Sequence, residues 1–393
     1  MEGIGIKNTD SFINGALNGS AWQTNTINHT NGFRASADRA YLRPYLHRPN
    51  LAVFNGTLAE RILFNNDRVA TGVEVTTGHA SYTLHATSEV IVAGGAFQSP
   101  QLLQVSGVGP AALLEEHGIP VIADLPGVGQ NLNDQFFTGI GYRVNLDTLS
   151  TLSLGNHVAV DVELFNTNAT GRLTNPGGEY AGFEKVPKHL RSNFSASTLE
   201  TLAGFPEDWP EIAYLTLPVF VGNLRGPVPT DDYNYATILA TIMVPSSRGN
   251  VSITSPCMKD HPAINPNWLT TKSDIEVSIA MFKRLRQAWT VPALTNLTIG
   301  DEYYPGPGVQ TDEEIEKQIR SSLIPIYHAS ATCKMGKADD ELAVVDSHGK
   351  VYGVKNLRIV DSSIFPFLAP GTAPQATVYM LAEKIADDMK NGN

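Results

Sequence analysis

One stretch limits the fold more than any other: Glu89-Val90-Ile91-Val92-Ala93-Gly94-Gly95-Ala96, an apolar strand ending in paired glycines. Ser99-Pro100 follows and predicts a helix start, with Ser as N-cap and Pro in the first turn. The helix then runs through Leu102, Leu103 and Val105 to Ser106-Gly107. A strand, a glycine pair and a helix N-terminus turn backbone N–H groups outward, and glycine lets a ligand come close. Gly94 and Gly95 therefore suit a phosphate or the polar edge of a ring. An ordinary strand-to-helix joint fits the same residues.

The chain closes on a second unit of this kind. Leu357-Arg358-Ile359-Val360-Asp361 is a short apolar strand ending in an acid, and a loop carrying Pro366, Pro370, Gly371 and Pro374 follows. Ala376 to Met389 is a periodic helix with Val378, Leu381, Ala382 and Ile385 predicted inward. An acid at the carboxyl end of such a strand suits a ribose hydroxyl or a pyrophosphate-bound water. Capping of the next turn is the other role open to Asp361. Just ahead stands Tyr327-His328-Ala329-Ser330-Ala331-Thr332-Cys333-Lys334-Met335-Gly336, a His in a loop of small residues. A catalytic imidazole can be held there against a bound cofactor, although a hydrogen-bonded core imidazole is the commoner role of a lone His.

Between these ends the chain divides by pattern. Residues 1–33 are polar and aperiodic and read as an irregular covering segment. Ala37, Tyr41, Leu42 and Tyr45 predict a short helix, stopped by Pro49. Leu51–Phe54, Ala59–Phe64, Ala70–Thr77 and Tyr82–Ala86 predict an antiparallel meander. From Phe136 to Pro325 the character changes. Strand-like runs appear at Gly139–Val144, Ile212–Val219, Tyr235–Val244 and Asn250–Thr254. Ser273–Trp289 reads as an amphipathic helix, and Asp312–Ser321 as a second one capped by Thr311. A sheet covered by helices follows, with loops that shape a cavity.

The 393 residues suffice for two or three domains. A net charge of -11 without any run of Lys and Arg argues against nucleic acid or an anionic membrane surface as partner. No apolar run approaches a transmembrane length. Cys257 and Cys333 are the only cysteines and are expected free. Cys333 with His328 could form a nucleophile and base, but no cysteine-hydrolase signature surrounds them. The scattered histidines give no metal spacing. Sequons at Asn18, Asn28, Asn55, Asn168, Asn193, Asn250 and Asn296 point to a secreted glycoprotein, although the start Met-Glu-Gly-Ile has no apolar signal core.

Five ordered blocks resemble the glucose-methanol-choline (GMC) flavoprotein oxidoreductases, a largely fungal-like match. Gly94 to Gly109 resembles that family's second signature, and Gly127-Val128-Gly129-Gln130-Asn131-Leu132-Asn133-Asp134 the loop after it, where the family often has His in place of Gln135. Ser247-Arg248-Gly249 leading to Pro262–Leu269 resembles a further block. His328–Gly336 resembles the catalytic-histidine motif, and Asn356–Pro366 with the final helix the flavin-contacting end. The resemblance implies an α/β plus α+β fold. Residues 34–135 and 326–390 would form a discontinuous, Rossmann-like FAD-binding domain with the β-meander, and 136–325 a substrate domain of antiparallel sheet covered by helices. It implies FAD as cofactor, contacted at Ala59, Gly94, Gly95, Asp361, Ser362, Pro374 and Gln375, with His328 as acid and base.

Two departures stand beside this likeness. No Gly-x-Gly-x-x-Gly opens the chain, so it reads as roughly the later two-thirds of such a protein, with an incomplete FAD-binding domain. Either Met1 starts a truncated product, or a separate N-terminal fragment completes the cofactor site. The family's second catalytic His or Asn falls on Ala373, which has no polar group, and Thr372 beside it could substitute only if the loop shifts. The resemblance implies oxidation of a small-molecule alcohol (CH–OH) by hydride transfer to the flavin. A non-redox lyase or cyclase of the same fold, and an inactive relative that binds no flavin by itself, are the alternatives.

Overall fold

The computed structural model describes residues 1–153, 155–223, 226–371 and 373–392. Thr372 lies outside them. Residues 1–33 are not wholly irregular, because they contain strand β1 (Gly19–Trp22), which pairs antiparallel with Tyr180–Glu184. Gly-Ser-Ala-Trp carries no alternation that would announce a strand. Pairing with a neighbour distant in sequence makes it one. The helix predicted after Arg34 is replaced by a wide helical turn at Asp38–Leu42 and a tight one at Arg43–Tyr45. Pro44 has no N–H with which to extend a regular ladder. Leu51–Phe54 is exposed and is not a strand. The meander is three-stranded: β2 (Thr57–Phe64), β3 (Ala70–Thr77) and β4 (Ala80–His85).

Strand β5 (Val90–Val92) leads into helix α1 (Gly95–Val105). The helix starts four residues before Ser99, with Gly94 as its N-cap, so Ser99 is not the cap and Pro100 lies inside the helix. Pro100 cannot donate to the carbonyl of Ala96. The hydroxyl of Thr332 takes that buried carbonyl instead, at 2.6 Å. The exception to helix geometry is thus a tie to the His328 loop. Short parallel strands β6 (Val108–Gly109) and β7 (Ala123–Asp124) flank helix α2 (Ala111–Glu116).

A larger antiparallel sheet follows. Its elements in chain order are β8 (Phe136–Val144), α3 (Gly155–Asn168), β9 (Tyr180–Glu184), α4 (Ala196–Ala203), β10 (Ile212–Leu217) and β11 (Asn234–Ile242). The hairpin β12 (Asn250–Ser252) and β13 (Ala263–Asn265) comes next, then α5 (Lys272–Trp289), α6 (Pro292–Thr295), β14 (Thr298–Tyr304), α7 (Asp312–Ser322) and β15 (Ile324–Pro325). The strand order is β1-β9-β10-β11-β8-β14, and β15 also pairs with β8. Strands β9 and β14 escape pattern reading because a glycine interrupts each run. Helices α5 and α7 form where predicted; Thr271 caps the first, and the Thr311–Glu314 capping box opens the second. The chain ends with β16 (Leu357–Ile359), parallel to β5, and α8 (Gln375–Lys390).

Two large hydrophobic cores and one small cluster result among the described residues. Ile62, Leu103, Val108, Val344, Ile359 and Ile385 belong to the first, around α1, β5 and β16. Phe136, Ile140, Tyr214, Met281, Phe282 and Leu285 belong to the second, between the large sheet and α5. Of the inward positions predicted on α8 only Ile385 is fully buried, while Val378, Leu381 and Ala382 are half-buried.

Thr332→Val leaves the Ala96 carbonyl without a donor and should destabilise the fold by about 1–3 kcal/mol. Pro100→Ala restores the helical N–H and should recover much of that loss. Urea unfolding of both single variants and the double variant tests the coupling, and purely additive effects would rule out this compensation.

Candidate active site

Three segments distant in sequence meet at His328. The loop at 329–335 has no regular structure of its own, so its backbone groups are met by neighbours. Ala331 N–H donates to Ser362 O, Cys333 N–H to Ser363 O and Met335 N–H to Ile364 O, at 3.0, 2.8 and 2.8 Å. On its other side Gly129 N–H donates to Thr332 O at 2.7 Å, and Asn133 and Ser330 exchange both backbone bonds at 3.0 Å. This lacing holds Tyr327 and Ala331 in the left-handed region, with φ of 62° and 67°.

The Asn133–Ser330 pair sets the loop before β8 beside His328. Gln135 Oε1 lies 3.0 Å from His328 Nδ1. Among the described residues, no hydrogen-bond partner is found for Nε2 of the ring. His328 and Gln135 line a cavity of about 200 Å³, with Phe137, Tyr214, Ile326 and Gly371 among its walls. Ala373 and Gln375 instead line a neighbouring cleft of about 630 Å³ with Thr26, Arg34 and Tyr379. Gln23, Asn25 and Pro176 border both spaces. The two sequence-predicted catalytic positions therefore face different hollows, and Ala373 is exposed.

The remaining predicted residues are placed as follows. Asp361 takes the capping role, and both of its oxygens are engaged by the protein. Its Oδ1 accepts Ser363 N–H at 2.7 Å, capping the next turn. Its Oδ2 accepts Gly95 N–H at 2.9 Å and the Ser99 hydroxyl at 2.5 Å, and Ser99 Oγ accepts Gly94 N–H at 2.9 Å. Ser362 Oγ donates to Ala329 O at 3.2 Å. Pro374 is the N-cap of α8, where no side chain caps the first turn. Ala59 stands on β2, half-buried against the first core. Cys333 is no partner for His328, because its thiol is fully buried in the first core and burial pushes its pKa far up. Cys257 is exposed, and both thiols are free.

The sequence signalled His328 but not what surrounds it. Gln135 lies 193 residues away, and only the local likeness of its loop marked the position. Asp134, which the same loop likeness includes but to which it gave no role, is buried beside both. It accepts backbone N–H groups of Gln135 and His328. Burial raises its pKa to about 6 while those donors pull it down. Burial lowers His328 to about 4, so the imidazole is neutral at ordinary pH.

These shifts oppose each other in the stability of the fold. The depressed His328 contributes stability that is present above about 6.5 and is lost as pH falls through about 4. The raised Asp134 contributes stability that is present below about 3.8 and is lost as pH rises through about 6. Asp134→Asn should therefore gain on the wild type by roughly 2–3 kcal/mol between about pH 4 and pH 7, and His328→Gln should lose ground by a similar amount over the same rise. Urea unfolding across that range measures both, and pH-independent differences would show that neither group is perturbed.

Comparison with known proteins points to one family. Two GMC oxidoreductase family models match residues 5–137 and 245–382. The chain is 51% identical over 392 residues to the glucose-methanol-choline family oxidoreductase mfmG of Annulohypoxylon moriforme, covering 99% of the chain and 65% of that protein. It is 47% identical over 391 residues to patulin synthase of Aspergillus clavatus, covering 98% and 62%. The chain thus spans less than two thirds of the length of either relative. Formate oxidase of Aspergillus oryzae superimposes with a TM-score of 0.90 at 25% identity, over 100% of this chain and 69% of that one. Among the described residues, no helix is long and apolar enough to cross a membrane. The α/β and antiparallel-sheet architecture, both family models and the relatives agree: the chain belongs to the GMC oxidoreductase family, whose cofactor is FAD.

Proposed function

We propose that this chain carries the acid–base and substrate-facing part of a FAD-dependent oxidoreductase that oxidises an alcohol, with His328 taking the hydroxyl proton. The observation that carries this reading is the neutral imidazole at a small, mostly apolar cavity, with one ring nitrogen tied to Gln135 and the other unpartnered among the described residues. A hydroxyl entering that space meets a base that is already deprotonated and needs no loss of charge to act. Phe137, Ala213, Leu215 and Ile326 give the cavity apolar walls. In this reading residues 34–135 and 326–390 serve the cofactor and 136–325 the substrate, with β1 added to the substrate side.

The residues present fit one part of FAD. At Gly95, with φ of 78°, no atom lies within 4 Å of where a Cβ would stand, so the backbone is open to a ligand. The uncapped first turn of α8 at Pro374 and Gln375 offers N–H donors. Gly94, Gly95, Pro374 and Gln375 would hold polar edges of the group, with Ala59 in the meander behind them. Asp361 and Ser362 are already engaged with the protein and would position the others. When bound, FAD supplies the two-electron acceptor for the substrate hydride.

A complementary N-terminal portion, joined or separate, is part of the proposal. Parallel strands are ordinarily buried on both faces within a larger sheet. Here β5 pairs only with β16 among the described residues, and Ile91 at its centre is 46% exposed. Tyr41, stacked on Tyr379 of α8, and Met380 are exposed as well. Passage through the secretory route is a further part of it, supported by exposed sequon residues at Asn18, Asn28, Asn55, Asn168, Asn193 and Asn296, with Asn250 half-buried.

A second reading, non-redox chemistry at the same site, is favoured by Ala373 and by a relative named a synthase. Anaerobic mixing of the flavin-loaded protein with alcohols decides between the two. Bleaching of the flavin band is the expected result, and His328→Ala should slow it by about 100-fold or more. An unchanged rate would remove His328 from the role. Turnover of substrate without bleaching would favour the second reading, and a purified protein that takes up no flavin would leave only an inactive relative.

A further inference from the structure

We propose that Gln135 is a positioning residue that holds His328 in one tautomer, with the proton on Nδ1 and the lone pair of Nε2 left for the cavity. The inference rests on the reading of His328 as the proton-handling group. It concerns how this chain prepares that group.

A carboxamide can face an imidazole with its oxygen or with its nitrogen, and the two faces select opposite tautomers. Here the far side of Gln135 decides. Its Nε2 lies 3.7 Å from the sulfur of Met243. Met243 is 1% exposed and packs with Ala181, Phe183 and Ala213. A thioether carries lone pairs and no proton, so it accepts from the amide N–H₂ and repels the amide oxygen. With the nitrogen drawn to Met243, Oε1 points at His328 Nδ1, at 3.0 Å. An oxygen that can only accept requires a proton on Nδ1. The other tautomer would set two lone pairs against each other in a buried place, where an unmade hydrogen bond is most costly.

Among the described residues, no other hydrogen-bond partner of the ring is found. Asp134, the adjacent acid, is engaged by backbone N–H groups of Gln135 and His328. Gln135 itself is 1% exposed, and the paired backbone bonds of Asn133 and Ser330 fix its loop against that of His328. The arrangement is therefore a relay of three side chains. Met243 orients the amide, the amide sets the tautomer, and the tautomer decides which nitrogen can take a proton.

The test is a two-bond proton–nitrogen correlation spectrum of the full chain labelled with nitrogen-15 in histidine. The His328 signals are identified by their loss in His328→Gln. In the wild type, Nδ1 should resonate as a protonated nitrogen and Nε2 as one with a free lone pair. Gln135→Leu should shift the tautomer ratio by about tenfold toward Nε2–H, the worth of one buried hydrogen bond. Gln135→Glu, which keeps an acceptor, should retain the wild-type pattern, and Met243→Leu should loosen it in part. A wild-type ring found as Nε2–H overturns the proposal even if Gln135→Leu does not fold. A folded Gln135→Leu with an unchanged spectrum overturns it too. The readout needs neither flavin nor substrate. A chain with the expected tautomer but no His328-dependent flavin reduction keeps this inference and loses the functional reading. Unchanged tautomers beside an active His328 do the reverse.

Discussion

The carboxylate of Asp361 joins the two halves of the first core. It accepts the N–H of Gly95, 266 residues away, together with the Ser99 hydroxyl and the N–H of Ser363. One oxygen therefore caps the start of α1 while the other caps the turn after β16. A carboxylate with three donors satisfies the free N–H groups of two chain ends that would otherwise need water. The consequence reaches the site. Ser362 and Ser363, next to Asp361, supply the carbonyls on which the loop of His328 hangs. An irregular loop acquires the rigidity of a sheet because neighbours on both sides meet its backbone groups.

Burial then sets the chemistry of that loop. The same removal from water lowers the proton affinity of His328, raises that of Asp134 and silences the thiol of Cys333. Three ionisable side chains close in sequence or space are thus all neutral over part of the acidic range. At the cavity the imidazole is consequently uncharged, which in the proposed reading favours a neutral hydroxyl substrate over an anionic one. The cavity's apolar walls act in the same direction.

The two hollows adjoin one another. His328 with Gln135 faces the small cavity, and Ala373 with Gln375 faces the polar cleft beside α8. Gln23, Asn25 and Pro176 line both, so β1 and its flanks bear on these hollows and do more than cover the surface. Strand β5 buries Val90 and Val92 in the first core and leaves Ile91 exposed.

Much was legible in the sequence wherever the determinant is local. Helices α5 and α7 announce themselves by capping residues and a 3.6-residue period, the meander by alternating β-branched runs, and His328 by its motif. Strands β1, β9 and β14 were not, because short or glycine-broken runs become strands only when a neighbour supplies hydrogen bonds. The start of α1 was misplaced by local reasoning. Ser99 looks like a cap, yet the bend at Gly94 and the distant Asp361 begin the helix earlier. The sequence by itself determined what family pattern the chain follows and which residues to examine for chemistry, because motifs are strings of neighbours. Only the tertiary structure decided that His328 meets Gln135, that Gln135 meets Met243, and that Ala373 looks elsewhere. Those are contacts across 100 residues or more, made by packing and hydrogen-bond geometry that no local pattern encodes.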